Sequence, residues 1–258
     1  MLLQDKTVVV SGVGAGLGKE LVLAAVRDGA NVVCGARSAD VLAQVCEEAD
    51  PDGKRVAYAA TDITKAEACT ALVALAEERF GGVDALINCA ARDNVLGGIE
   101  QTTEADWRDT FEVNVFGLMN VIRATIPALK KSRGSIVLIG SQTVFKPQVV
   151  QIAYAASKGA QISAMYHLAQ ELGPAGVRIN TVMPSWMWGP EVQGYVALMA
   201  QHQGKSEDEV KAGLDQQFPL QQMSTVADVA EAAIFLASDR ARTITGQTLL
   251  TNAGEYMR

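Results

Sequence analysis

The chain has few of the residues that build metal centres or disulfide frameworks. Its 258 residues include two histidines and four cysteines, Cys34, Cys46, Cys69 and Cys89, with no CxxC pair and no histidine at ligand spacing. A zinc site or a set of structural disulfides is therefore not expected, no metal is assigned, and a reducing compartment fits the cysteine usage. Long apolar runs are missing too. None approaches the roughly 18 residues that span a bilayer, and the opening MLLQDK carries an acid and a base before the first apolar run, unlike a signal peptide. A cytoplasmic protein with no membrane partner is the expectation. Basic residues are in deficit: 22 Lys and Arg face 29 Asp and Glu, a net charge of -7, which argues against a nucleic-acid surface. No repeat, low-complexity tract or Pro/Ser-rich linker interrupts the chain, so residues 1–258 read as a single domain.

What is present is a large apolar fraction, 49%, against 20% charged residues, enough for a substantial core. Short β-branched runs alternate with longer helical ones: Val8 to Val10, Leu17 to Arg27, Asn31 to Val33, Val41 to Ala49, Arg55 to Ala59, Ala66 to Arg79 and Val83 to Asn88. The alternation continues with a long helix within Ala105 to Lys130, then Ser135 to Ile139, Ile152 to Leu172, Val177 to Val182, Val226 to Ala237 and Gln247 to Leu250. Strands that are apolar throughout are buried on both faces, and helical crossovers between them permit parallel pairing. The expected fold class is α/β, a doubly wound parallel sheet with helices on both faces. The stretch from about 185 to 220, with its tryptophans, prolines and polar tract, is too long for a plain connection and reads as a substrate lid.

Three groups of residues carry chemistry. The first strand runs into Ser11-Gly12-Val13-Gly14-Ala15-Gly16-Leu17-Gly18 and then a helix. Glycines there let the backbone turn and approach a pyrophosphate, which the helix N-terminus favours. The spacing of Gly12, Gly16 and Gly18 fits GxxxGxG better than GxGxxG, which would need glycine in place of Leu17. At the second strand's end, Cys34-Gly35-Ala36-Arg37-Ser38 offers no acid for a ribose 2′-hydroxyl. Arg37 and Ser38 instead suit a 2′-phosphate, so NADP is favoured and NAD is the alternative. The third group is Ser141, Tyr154 and Lys158. Tyr154 and Lys158 stand at i and i+4 on one helix face, and a loop after an apolar strand could return Ser141 to it. A tyrosine used as a base near neutrality needs its pKa lowered by about three units, about 4 kcal/mol. A neighbouring ammonium and an oxidised nicotinamide could supply that, while the Ser141 hydroxyl holds the substrate oxygen.

Taken together, Ser11 to Gly18, Ser141, Tyr154 and Lys158 resemble the short-chain dehydrogenase/reductase family over essentially the whole chain. The resemblance implies a Rossmann-type fold, a nicotinamide cofactor and hydride transfer between an alcohol carbon and the nicotinamide. It places Asp62, with Ile63, against the adenine, and Asn88 and Ala90 beside the cofactor. Pro184 and the Met187 backbone fall near the nicotinamide carboxamide, and Asn114 holds a water in a proton relay to the lysine. The family pattern is not followed everywhere: Ser11 stands for Thr, Cys89 and Ala91 alter the NNAG motif, Ser185 replaces Gly, and Gly189 stands where many members have Thr. The resemblance also implies a homo-oligomer, a dimer or tetramer, paired through the helices of Ala105 to Lys130 and Ile152 to Leu172.

Trp186 and Trp188 are expected to line a substrate pocket with Val144, Phe145, Gln148 and Tyr195. His167 and His202 read as packing and solvated residues, and the glutamate pairs as exposed helix faces. The leading function is an NAD(P)-dependent alcohol dehydrogenase or ketone reductase acting on a small-molecule, partly apolar or cyclic alcohol or ketone. The alternatives are a catalytically silent dinucleotide-binding regulator, and epimerisation or dehydration through a transient ketone.

Overall fold

A computed structural model describes residues 1–147 and 150–257 of the chain. Gln148, expected at the substrate pocket, lies outside the described residues. The elements run β1 (Thr7–Ser11), α1 (Leu17–Arg27), β2 (Asn31–Ala36), α2 (Ala39–Ala49), β3 (Val56–Ala60), α3 (Ala66–Phe80) and β4 (Ala85–Asn88). There follow α4 (Glu104–Phe111), a π-helical segment (Glu112–Gly117), α5 (Leu118–Ser132), β5 (Ser135–Ile139), α6 (Ile152–Leu172) and β6 (Arg178–Pro184). The last are β7 (Met187–Trp188), α7 (Pro190–Gln203), α8 (Glu207–Asp215), β8 (Ser224–Thr225), α9 (Val226–Ala237) and β9 (Thr248–Thr251).

Seven strands form one parallel sheet in the order β3-β2-β1-β4-β5-β6-β9, with β7 and β8 paired separately. The chain winds outward from β1 in one direction and then returns to start again at β4. The two carboxyl ends therefore diverge at the β1/β4 boundary, where α/β sheets open a crevice. Register is fixed by side chains that alternate between two apolar layers. Val8 and Val10 of β1, with Ala85 and Ile87 of β4, pack toward α1, α2 and α9, where Leu21, Leu42, Val229 and Ile234 are fully buried. Val9, Leu86, Ile136 and Leu138 point the other way, toward Leu72, Val121, Ile122, Ile162 and Met165 of α3, α5 and α6. Burial on both faces explains why these strands read as continuous apolar runs.

The single helix expected within Ala105 to Lys130 is a composite. It starts at a capping box in which Thr103 and Asp106 satisfy each other's backbone N–H groups, passes through the π-helical segment and continues as α5. The segment from 185 to 220 contains two helices that periodicity alone did not resolve. Gly204, at φ 63°, ends α7, and a Ser206–Glu209 capping box starts α8. Together they close a small core of Val196, Ala200 and Val210 with Trp188, Val192, Met199 and Leu214. Among the described residues no helix is long and apolar enough to cross a membrane.

Ile87 is fully buried in a central strand beneath the crevice. Replacing it by Ala is expected to lower unfolding free energy by about 2–5 kcal/mol, read from the urea midpoint at unchanged slope.

Candidate active site

A cleft of about 1010 Å³ opens over the carboxyl ends of the strands at the topological switch. One half is lined by the glycine-rich turn. Gly12 adopts φ 93°, and a side chain there would collide with the backbone of Ala90, so only glycine lets β1 and β4 end side by side. Its N–H donates to the Gly35 carbonyl (2.7 Å), tying the turn to β2. Gly18 is required for packing, because a Cβ there would strike the Gly12 carbonyl. Gly14 and Gly16 differ: a Cβ at Gly14 would meet nothing within 4 Å, and one at Gly16 only Pro190, at 3.8 Å. Both border the cleft, and α1 begins there with no side-chain cap on its N–H groups. Open glycine backbone in front of an uncapped helix N-terminus fits a dinucleotide pyrophosphate.

Other features fit the rest of such a cofactor. The Ser11 hydroxyl and the Asn88 side-chain carbonyl, at the paired ends of β1 and β4, are buried without partners, as is the Ser185 hydroxyl on the cleft wall. Arg37, Ser38, Asp62 and Ile63 line the opposite end of the cleft. Asp62 accepts from the Thr64 N–H (3.0 Å) and hydroxyl (2.9 Å). That N–H bond, above all, holds its carboxyl below the usual range, with Lys65 and Arg37 adding attraction. Gly16, Leu17, Gly18, Ala90, Pro184 and Met187 also border the cleft, whereas Ser11 and Asn88 sit beneath its surface.

The other half holds Ser141, Tyr154 and Lys158. Helix α6 presents Tyr154, Ser157, Lys158 and Gln161 at i, i+3, i+4 and i+7, one face toward the end of β5. The Lys158 ammonium donates to the carbonyl of Ile139 (2.7 Å), two residues before Ser141, and lies 5.6 Å from the centre of the Tyr154 ring. Ser141 caps a 3₁₀ turn over Gln142–Val144 and its hydroxyl pairs with that of Thr143 at 2.9 Å. That turn is anchored from far along the chain. Gln142 donates to Glu255 (2.8 Å) and accepts from Asn252 (2.5 Å), Lys146 pairs with Glu255 (3.3 Å), and Phe145 stacks on Tyr256 with ring centres 5.8 Å apart.

Burial dominates the electrostatics. It pulls Lys158 down to about 8, against partial support from Cys89 and Asp93. It pushes the Tyr154 phenol up, Asp93 adding to the rise and the Ser141 hydroxyl drawing it back. The acidification of Tyr154 expected from an ammonium together with an oxidised nicotinamide is therefore not a property of the chain by itself, in which desolvation favours the neutral form of both groups.

Asn114 is fully buried in the π-helical segment. Its side chain accepts from the Arg92 N–H (2.7 Å) and donates to the Arg92 carbonyl (3.0 Å) and the Ser157 hydroxyl (2.9 Å). It clamps the loop after β4 to α6. Of the expected substrate residues, Trp186 lines the cleft and packs against Tyr195 with ring centres 5.2 Å apart. Trp188 turns into the core of α7 and α8, with Lys211 4.9 Å from its ring, and Val144 packs against the main core. Neither borders the cleft: Trp188 lies in β7 beside β8, and Val144 ends the 3₁₀ turn after Ser141. Sequence reasoning missed Asp93, Asn94, Gln151 and Glu191, which do border it. All four lie in loops or at a helix start, where no periodicity marks a wall. It also missed Gln161, which the helical period from Tyr154 could have found.

A lysine at about 8, against an ordinary 10.5, costs the fold about 3 kcal/mol near neutrality. Between those values the unfolded chain binds more protons, so this cost is complete below about pH 8 and gone above about 10.5. Lys158→Met, which also leaves the Ile139 carbonyl unpaired, is expected to stabilise the cofactor-free protein by about 1–2 kcal/mol at pH 7. Thermal unfolding across that range should show the advantage shrinking as pH rises.

Comparison with known proteins agrees with this arrangement. Residues 6–197 match the family model described as short chain dehydrogenase. The chain is 31% identical over 260 residues to the 3-oxoacyl-[acyl-carrier-protein] reductase FabG of Vibrio cholerae, covering 100% of both chains. It is 30% identical over 256 residues to the L-fucose dehydrogenase of Oryctolagus cuniculus, covering 96% of this chain and 84% of that one. A crystal structure from Brucella melitensis, titled short-chain dehydrogenase/reductase SDR:Glucose/ribitol dehydrogenase, superposes with a TM-score of 0.88 at 28% identity, covering 100% of this chain and 99% of that one. With the family model spanning most of the chain and the fold, crevice and glycine turn all of that type, this protein belongs to the short-chain dehydrogenase/reductase family of oxidoreductases.

Proposed function

We propose that the protein is a nicotinamide-dependent oxidoreductase that interconverts an alcohol and a ketone. The observation that carries this reading is the convergence of Tyr154, Ser141 and Lys158 on the cleft that also holds the open glycine turn of α1. When bound, the nicotinamide supplies the hydride acceptor or donor. Ser141 holds the substrate oxygen through its hydroxyl, and Tyr154 takes up or returns the proton at its phenol oxygen. Lys158, charged and fixed by Ile139, stabilises the phenolate. Phenolate formation is unfavourable in the chain alone, so the site depends on positive charge arriving with the oxidised cofactor. The enzyme names of the relatives favour this reading over a silent binding protein.

Arg37 and Ser38 at the cleft end, with no acid beside them in β2, favour NADP over NAD. Ser11, Asn88 and Asp62 belong to the cofactor side of the site. Trp186 offers a flat apolar wall to a cyclic body, while Asp93, Asn94, Gln151 and Glu191 face it with polar groups. An apolar substrate would strip water from those carboxylates at a cost, so the substrate carries further hydroxyl groups, in keeping with the sugar named for one relative. Residues 185–220 act as the lid, in one domain with the rest. Exposed Phe116 and Tyr166, beside α5 and on α6, provide the surface for a homo-oligomer. A cytoplasmic location is part of the same reading.

Tyr154→Phe should lower kcat by a factor of about 10² to 10⁴ while leaving the cofactor Kd within twofold, in an absorbance assay over a panel of sugars, polyols and cyclic ketones. Full activity in that variant would overturn the mechanism. For the cofactor, calorimetry should find NADP bound more tightly than NAD. Arg37→Ala should weaken NADP by about 10- to 100-fold and leave NAD unchanged.

A further inference from the structure

The contact between the catalytic lysine and the π-helical segment is made by a side chain. Gln161, buried on α6, donates from Nε2 to the backbone carbonyl of Asn114 at 2.6 Å, and its Oε1 faces the Lys158 ammonium at 3.4 Å. The orientation of that amide is dictated by chemistry. A carbonyl can only accept and an ammonium can only donate, so the group between them must present a donor to one and an acceptor to the other. Water can do this, and so can a carboxamide. Here the carboxamide is that of Gln161.

We propose that Gln161 is a positioning residue for Lys158, a built-in amide bridge to Asn114. The bridge supplies the ammonium with its second acceptor beside the Ile139 carbonyl, and so supports the charged form in a site that burial makes hostile to it. The other groups facing Lys158 are Tyr154 on its own helix, Cys89 at the end of β4 and Asp93 in the loop beyond it. None of them reaches the Asn114 carbonyl, which leaves the bridge to Gln161 alone among the described residues.

The inference deepens the reading in which Lys158 serves Tyr154, but its test uses the cofactor-free protein and does not depend on turnover. Lysine labelled with carbon-13 at the ε position, with the Lys158 signal assigned from Lys158→Met, is titrated by NMR. Gln161→Leu removes the acceptor at similar volume and should move the Lys158 titration down by about half to one pH unit. Gln161→Glu puts a carboxylate in its place and should move it up by at least as much. Opposite shifts support the bridge, because general loosening of the helix would move both variants the same way. A Lys158 titration unchanged in both folded variants overturns it. Should the Leu variant fail to fold, the Glu variant decides alone, and absence of an upward shift is the overturning result. If the shifts are found but Tyr154→Phe keeps full activity, the catalytic reading fails and the bridge stands.

Discussion

A buried ammonium organises the site. Lys158 is 2% exposed, and a positive charge at that depth has to be held by oxygen atoms whose positions are fixed in advance. The carbonyl at the end of β5 provides one and Gln161 the other. Because the first belongs to the strand that leads into Ser141, and the second leads to the segment carrying Asn114, the lysine joins three parts of the fold at one atom. Tyr154 sits one helical turn away on the same helix, and Ser157 between them ties Asn114 to the Tyr154 backbone (2.7 Å).

The cost of that arrangement falls on the chain without its cofactor. Both the phenol and the ammonium are pushed toward their neutral forms, opposite to what a phenolate base beside a charged lysine requires. Functional sites commonly hold such tension. Here it has a direction: a cationic ring brought close to Tyr154 would relieve the phenolate, and a neutral one would favour the phenol.

Much of this was legible in the sequence, for reasons that can be named. Strands buried on both faces show as continuous apolar runs, and β1, β4 and β5 were legible in this way. The glycine turn reads clearly because a Cβ at Gly12 or Gly18 would strike backbone, whereas one at Gly14 or Gly16 would not. Tyr154 and Lys158 were legible because helical spacing alone puts them together. The unread parts depend on partners distant in the chain. Gln161 means little until Asn114 lies against it, and Gln142 gives no hint of Glu255, 113 residues away. Trp186 and Trp188 look equivalent in sequence, and only the packing of the helices that follow separates them: the first meets Tyr195 at the cleft and the second joins the core of α7 and α8.

The π-helical turn between α4 and α5 carries a consequence for protein engineering. Such a turn holds one residue more than ordinary winding needs. Deleting a single position between 112 and 117 would return the rod from 104 to 132 to ordinary winding, with the cap at Thr103 and the apolar stripe of α5 still facing their present neighbours. What would be lost is the bulge that sets Asn114 against Arg92 and Ser157. Shortening this helix by one residue would spare the fold and undo the clamp between the loop after β4 and α6.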